Sequence, residues 1–183
     1  LKNIFNGNSN NQSNLYKESR RLFLKADIAA ALWVGGELRG STIVENKIAA
    51  FGIVDSIKLS SQDKRFKPLA AEELSETRIQ IMIIDSPRVP LSDGEIAKNE
   101  IYAEKGYLLI ADSNKRGWFL PEVLNIKKFI NLEEYLKSLA QEKAGVLYQK
   151  KRTISVSVFE VQDFIESKKD NGIFYDLLKE FYL

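Results

Sequence analysis

A pair of glycines between two apolar runs of strand length limits the topology of this chain more than any other segment. Gly35-Gly36 follows the run at 29–34 and precedes the run at 37–43. Hairpin turns of the primed types need positive φ at their central residues, a conformation that glycine adopts without steric cost. The sequence therefore predicts an antiparallel hairpin early in the folded region.

The other elements mix strands and helices without a regular alternation. Apolar runs and alternating patterns predict strands, whereas helical spacing between capping signals predicts helices. The predicted strands lie at residues 78–85, 107–111, 117–120 and 152–164. The predicted helices lie at residues 15–26, 42–59, 70–76, 131–145 and 173–183. Hairpins without a βαβ rhythm favour an α+β fold with a largely antiparallel sheet and flanking helices.

The helix at 42–59 is predicted from a capping box at 42–45, where a Thr precedes a Glu by three positions. Apolar residues at helical spacing in this helix and in the helix at 15–26 are expected to face the core. They are Leu15, Leu22, Phe23, Ile48, Phe51 and Val54.

The length of 183 residues fits one domain with tails. Residues 1–14 contain six asparagines and one charged residue, a composition typical of a flexible tail. We expect one α+β domain over residues 15–183, with a C-terminal helical extension at 168–183.

Composition excludes several classes of chemistry. The chain has no histidine and no cysteine, which excludes disulfides, zinc sites built on these residues, cysteine nucleophiles and Ser-His-Asp triads. The net charge of +2 argues against a nucleic-acid partner, and no apolar run is long enough to span a membrane. No spacing indicates a metal site and no motif indicates a nucleotide cofactor, so neither is predicted. Absence of cysteine fits a cytoplasmic protein.

The segment Leu38-Arg39-Gly40-Ser41-Thr42 is the main candidate site, because it ends a predicted strand and enters a predicted helix. Helix N-termini attract anions, glycine permits close approach of a ligand, and arginine binds carboxylates or phosphates bidentately. The alternative is that Arg39 forms a structural ion pair and a hydroxyl only caps the helix. Ser41 as a nucleophile would need a lysine or carboxylate base. The carboxylates from residue 63 to 85, including Asp63 and Glu73, are too scattered to predict an acid–base pair.

Six segments in order resemble the AMMECR domain family. They are Leu38-Arg39-Gly40-Ser41-Thr42-Ile43, Asp63-Lys64-Arg65-Phe66-Lys67-Pro68-Leu69, Glu72-Glu73-Leu74, Gly117-Trp118-Phe119-Leu120-Pro121-Glu122-Val123, Lys143-Ala144-Gly145-Val146 and Phe159-Glu160. The family has Cys where this chain has Ser41, so a thiol-dependent role would be lost or changed here. The resemblance spans about residues 22–166.

The resemblance implies an α+β fold in two packed lobes. It also implies a protein like the A component of the AmmeMemoRadiSam system, beside a Memo-like protein and a radical SAM protein. The family's molecular activity is not established. Its retained residues suggest an anionic ligand contacted by Arg39 and Lys143, with Gly40, Ser41 and Arg65 completing the candidate ligand site.

Three hypotheses for function follow. The preferred one is a binder of an anionic small molecule, or an accessory component of a metabolic or modification system. The second is an enzyme that uses the Arg39-Gly40-Ser41 corner with a lysine or carboxylate base. The third is a protein-interaction module without catalysis, docking a partner through residues 173–183 or the Asn-rich start.

Overall fold

The computed structural model describes residues 20, 22–111, 115–148, 154–166 and 174–176. The strands in chain order are β1 (Lys25–Val34), β2 (Glu37–Ile48), β3 (Thr77–Ile84), β4 (Val89–Pro90), β5 (Gly106–Ile110), β6 (Arg116–Phe119), β7 (Ser155–Phe159), β8 (Gln162–Glu166) and β9 (Phe174–Asp176). The helices are α1 (Ala49–Ser60), α2 (Asp93–Lys98), α3 (Val123–Ile126) and α4 (Leu132–Leu139), with a 3₁₀ turn at Ala71–Glu73 and a π-helical turn at Ala140–Ala144. Both sheets are antiparallel, so the predicted α+β class is confirmed.

The chain divides into two compact units, Leu1–Ile84 with Gln162–Leu183, and Asp85–Val161. The first unit holds a five-stranded sheet in the order β2-β1-β3-β8-β9, with α1 packed on it. The second holds a four-stranded sheet in the order β4-β7-β5-β6.

The hairpin predicted around the glycine pair is confirmed. Gly35 and Gly36 have φ of 61° and 87°, and Val34 pairs with Glu37 on either side of them. The strands then remain paired as far as Lys25 and Ile48. This long hairpin supplies two central elements of the first unit.

The predicted start of the following helix is wrong, because β2 continues through the expected capping box to Ile48 and α1 begins at Ala49. The backbone of this segment pairs with β1 as a strand. The hydroxyl of Thr42 and the carboxylate of Glu45 therefore do not cap a helix. The first N–H groups of α1, at Ala49 and Ala50, instead donate to the carbonyls of Leu24 and Leu22.

The predicted inward face of this helix is wrong as well. Phe51 and Val54 are 66% and 63% exposed, and Ile48 is 37% exposed. The buried positions of α1 are Ala49, Gly52, Ser56 and Ser60. These small residues allow close packing on β1: a Cβ at Gly52 would lie 2.7 Å from Ile28 Cγ1. Buried glycine and serine carry no hydrophobic signal, which is why the pattern pointed to the wrong face.

The predicted helix at 15–26 does not extend to its expected end. Lys25 and Ala26 already belong to β1, and Leu22 and Phe23 are exposed rather than inward. The expected tail at 1–14 and the residues up to 19 lie outside the described residues.

The second unit confirms the predicted hairpin and the predicted capped helix. β5 pairs with β6 from Tyr107 opposite Phe119 to Ile110 opposite Arg116. Asn131 Oδ1 accepts from Glu134 N at 3.0 Å at the start of α4, and Gly145, with φ of 63°, ends the π-helical turn. The core between sheet and helix includes these fully buried side chains: Tyr107, Leu109, Phe119, Tyr135, Leu136 and Leu139.

The segment predicted as one strand at 152–164 is two strands in different sheets. β7 pairs with β4 and β5, whereas β8 pairs with β3 and β9. Glu160 and Val161 separate them, and the apolar alternation of Ile154, Val156 and Val158 shifts phase at Phe159, immediately before the chain changes sheet.

The predicted helix at 173–183 is corrected at Phe174–Asp176, which form β9 antiparallel to β8. The rest of that prediction lies outside the described residues. Among the described residues, no helix is long and apolar enough to cross a membrane.

Candidate functional site

The site lies on β2, the edge strand of the first sheet, where the loop after α1 runs beside it. Ser41 N donates to Asp63 Oδ2 at 3.0 Å, and Arg65 Nη2 donates to the carbonyl of Ser41 at 3.1 Å. A neighbouring strand would bond to the backbone of an edge residue in the same way, with one acceptor for its N–H and one donor for its carbonyl. Asp63 and Arg65 therefore replace a strand partner for Ser41.

Asp63 and Arg65 are joined to each other by several further bonds. Arg65 Nε lies 3.0 Å from Asp63 Oδ1 and Nη2 lies 2.6 Å from Oδ2. Arg65 N also donates to Asp63 Oδ1 at 3.1 Å, which closes the loop into a tight turn. The Arg65 guanidinium lies 5.5 Å from the Phe66 ring centroid. These contacts fix the arginine head group in one orientation.

The electrostatics of the pair follow from burial and hydrogen bonding. Burial by itself raises the pKa of Asp63, but the bonds from Arg65 and from Ser41 N outweigh it and lower the pKa to about 2. The hydrogen bonds that Arg65 donates to Asp63 raise the pKa of Arg65 against a smaller effect of burial. Both groups are therefore charged at neutral pH.

Arg65 keeps unused donors although Asp63 fixes it. Its side chain is 50% exposed, and Nη1 donates to no described residue. Nη2 also donates to Ser41 Oγ at 2.9 Å. Lys64 and Lys67 are exposed, and neither forms an ion pair with a described residue. We call Ser41, Asp63, Lys64, Arg65 and Lys67 the Arg65 corner.

Arg39 is held differently from Arg65. Its Nη2 donates to Glu73 Oε2 at 2.8 Å, its Nε donates to Glu73 Oε1 at 3.1 Å, and its Nη1 donates to the carbonyl of Lys67 at 3.2 Å. Glu73 Oε2 also accepts from Ala70 N at 2.8 Å. Bonding to Arg39 lowers the pKa of Glu73, and the same bond raises the pKa of Arg39. All three guanidinium nitrogens thus bind protein acceptors, as the structural ion-pair alternative requires.

Gly40 permits a close approach, but to the protein itself. A Cβ at Gly40 would lie 2.0 Å from the carbonyl oxygen of Ser60, the last residue of α1. The glycine therefore lets β2 pass the C-terminal end of α1.

The predicted helix N-terminus at this position does not form, since Ser41 and Thr42 lie within β2. A helix dipole and unpaired helical N–H groups cannot contribute to anion binding there. Any attraction for anions comes from the side chains of the loop.

Lys143 lies in the second unit, on the π-helical turn. A Cβ at Gly117 would lie 3.0 Å from both Lys143 Cβ and Ala144 N. Two of the motifs noted in the sequence thus pack on each other. Arg39, Gly40, Ser41 and Arg65 come together in the first unit, and a ligand role for Lys143 stays a prediction.

Sequence reasoning missed Asp63 and Glu73 as site residues and treated them as surface groups or caps. The signal for Asp63 was its position two residues before Arg65, which suits a turn closed by side-chain bonds. Ser41 Oγ has Arg65 as its neighbour and contacts no carboxylate or lysine among the described residues. The described residues also contain no group of three acidic side chains suited to a metal ion.

The sequence matches the AMMECR1 family over residues 6–164, which is most of the chain. The chain belongs to the AMMECR1 family. The fold is similar to that of an uncharacterized protein, PH0010, from Pyrococcus horikoshii, with a TM-score of 0.71 and 18% sequence identity. The similarity covers 85% of this chain and 80% of the archaeal chain. A comparison with curated proteins found no match.

Membership in the AMMECR1 family confirms the resemblance that the six motifs suggested. Two of them, at 38–43 and 63–69, meet at Ser41, where Asp63 and Arg65 bind the strand edge. The residue held there in this chain, Ser41, carries a hydroxyl.

Proposed function

We propose that this AMMECR1-family protein binds an anionic small molecule at the Arg65 corner. The observation that carries the proposal is a fixed guanidinium with unused donors: Asp63 orients Arg65, and Nη1 donates to no described residue. An oriented arginine loses little side-chain entropy on binding a carboxylate or phosphate.

Local charge supports the same proposal. Asp63 neutralises Arg65, and Glu73 neutralises Arg39, so the exposed charges of Lys64 and Lys67 are left over. Unpaired positive charge beside a fixed guanidinium attracts anions. The proposal does not need Arg39, because its guanidinium nitrogens already donate to Glu73 and to the carbonyl of Lys67. A contact between Lys143 and the anion stays a separate prediction.

The test measures the affinity for sulfate by isothermal titration calorimetry at constant ionic strength. The wild type is compared with Arg65→Gln and with the matched control Lys25→Gln. Lys25 is exposed, and it pairs with Ile48, whereas the corner residue Ser41 pairs with Ala31 further along the same hairpin. Both substitutions remove one positive charge.

We expect wild type and Lys25→Gln to bind sulfate equally and Arg65→Gln to lose at least about tenfold in affinity, as for a lost charge-assisted bond. Circular dichroism at the titration temperature checks that Arg65→Gln is folded. Equal sulfate affinity in Arg65→Gln and wild type would overturn the proposal.

An accessory role beside a Memo-like protein and a radical SAM protein rests on the family resemblance. A catalytic role of the Arg39-Gly40-Ser41 corner with a lysine or carboxylate base rests on the residue types of that segment. Location in the cytoplasm likewise stays a prediction from composition. The described contacts favour none of these over simple binding.

A further inference from the structure

The charges of the Arg65 corner do not cancel. Asp63 forms an ion pair with Arg65 and accepts a hydrogen bond from Ser41 N. Lys64 and Lys67 have no ion-pair partner among the described residues. The corner therefore presents two positive charges in excess, both within two residues of the guanidinium. A ligand with two negative charges at one end would match this excess, and a carboxylate would leave one charge unmatched.

The free donors of the corner also outnumber what one carboxylate needs. Arg65 Nη1 carries two N–H groups with no acceptor in the described part of the chain. Ser41 Oγ accepts from Arg65 Nη2, which leaves its own hydrogen available to a ligand. The ammonium groups of Lys64 and Lys67 add further donors on the same loop. A terminal phosphate has three such oxygens.

We propose that the ligand of the Arg65 corner is a small molecule with a phosphomonoester, bound as its dianion in preference to carboxylates and phosphodiesters. This inference rests on the proposed function. It commits to the charge and the number of terminal oxygens of the ligand, and it makes the terminal phosphate the recognised group.

The composition of the protein makes this preference measurable by pH. The chain has no histidine, the side chain that ordinarily titrates between pH 5 and 7. Charged groups on the segments around the corner are Arg39, Lys58, Glu72, Glu73 and Glu76. Asp63 and Glu73 have lowered pKa values, so both stay ionised across this interval. A phosphomonoester takes its second negative charge near pH 6. A change in affinity across that pH therefore reports the ligand.

The experiment measures affinity at pH 5 and pH 7 for three probes at constant ionic strength. Glycerol 2-phosphate changes from monoanion to dianion, sulfate is a dianion at both pH values, and dimethyl phosphate is a monoanion at both. We expect glycerol 2-phosphate to bind about tenfold more tightly at pH 7, in line with the dianion fraction. Sulfate affinity should not change, and dimethyl phosphate should bind at least about tenfold more weakly than sulfate.

The double variant Lys64→Gln, Lys67→Gln tests the charge match without touching the Asp63–Arg65 pair. Both side chains are exposed, and Arg39 binds only the backbone carbonyl of Lys67, so this variant should fold. We expect it to lose most of the preference for dianions, while Lys25→Gln retains it.

The outcomes separate this inference from the function on which it rests. Sulfate and dimethyl phosphate bound equally well in an Arg65-dependent manner would overturn the dianion preference and leave anion binding standing. Acetate bound more tightly than glycerol 2-phosphate at pH 7 would do the same. Absence of Arg65-dependent binding for every probe would overturn both.

Discussion

Ser41, Asp63 and Arg65 show how two side chains can serve as the neighbour of an edge strand. Unpaired edges invite pairing with other chains, and proteins commonly protect them with charged residues. Here the protection is specific, because one carboxylate accepts from the N–H of Ser41 and one guanidinium donates to its carbonyl. The same contacts leave part of the guanidinium available, so the anion binding that we propose would use a residue that also protects the edge.

Asp63→Asn should reveal this pair through the pH dependence of stability. The folded pKa of about 2 lies below the ordinary 3.8, so the carboxylate stabilises the fold above pH 4 and loses that effect as the pH falls toward 2. The shift corresponds to about 2 kcal/mol. We expect urea denaturation to show that loss for Asp63→Asn at pH 7 and almost none near pH 2. A constant difference between variant and wild type across this range would contradict the assignment.

Gly40→Ala should destabilise the first unit. A Cβ at this position would lie 2.0 Å from the carbonyl oxygen of Ser60, which is backbone and cannot rotate away. Overpacking of this kind costs about 1–3 kcal/mol. The matched control is Gly94→Ala in α2, where the nearest atom would be 3.9 Å away and no loss is expected. Equal midpoints of denaturation for the two variants would show that β2 can move away from α1.

At the level of single residues, only the family motifs predicted that Arg65 lies near Gly40 and Ser41. The sequence could not predict that Gly40 faces Ser60. The position of Ser60 beside β2 depends on where α1 begins, and α1 begins at Ala49, seven residues after the predicted start at residue 42. Nor could the sequence predict the ion pair between Arg39 and Glu73, since the two residues are 34 positions apart and no local pattern joins them.

Helix α1 shows why hydrophobic spacing can mislead at the level of an element. Its exposed face carries Phe51 and Val54, and its buried face carries glycine and serine. The start at Ala49 is set by pairing of β2 with β1 and by the carbonyls of Leu22 and Leu24. Tertiary contacts decide both the boundary and the face, whereas the hairpin with the Gly35-Gly36 turn is decided locally and was predicted correctly.

The orientation of α1 can be tested by comparing Phe51→Ser with Ile28→Ala. Phe51 is 66% exposed and Ile28 is 0% exposed. We expect Phe51→Ser to change the free energy of unfolding by less than about 0.5 kcal/mol, and Ile28→Ala to lower it by about 2–5 kcal/mol. If thermal denaturation shows Phe51→Ser to be as damaging as Ile28→Ala, the helix has the orientation that its apolar spacing predicts.

Helix α4 depends for its start on Asn99, the residue that directly follows α2. The carbonyl of Asn99 accepts from Leu132 N at 3.2 Å, and Asn99 Oδ1 accepts from Glu133 N at 2.8 Å. Asn131 Oδ1 accepts from Glu134 N, so the first N–H groups of α4 are satisfied. Asn99 has φ of 61°, a conformation common for asparagine and glycine.

Asn99→Gly and Asn99→Ala separate these two contributions. Glycine keeps the backbone conformation and loses the side-chain cap, which should cost about 1 kcal/mol. Alanine loses the cap and adds about 1 kcal/mol of backbone strain. We expect chemical denaturation to rank stability as wild type, then Asn99→Gly, then Asn99→Ala. Wild-type stability in Asn99→Gly would mean that the side chain of Asn99 contributes nothing to the capping of α4.

At the scale of the whole molecule, the α+β class and the family follow from the sequence, but the division of strands does not. The stretch at 152–164 is predicted as one strand from the alternation of Ile154, Val156 and Val158, but the phase shifts at Phe159 and the chain then passes from the second sheet to the first. Alternation records which residues face inward and is silent about which sheet they join. The order of strands in each sheet is therefore known only from the structure.

Among the described residues, the Arg65 corner is the place at which we expect anions to bind. Backbone amide shifts of the ¹⁵N-labelled protein titrated with sulfate test this expectation, because all basic segments are observed together. We expect saturable shifts that are largest at Ser41, Lys64, Arg65 and Phe66 and are absent in Arg65→Gln. Shifts of similar size around Lys25 or Lys137, or none that saturate near Arg65, would contradict this expectation.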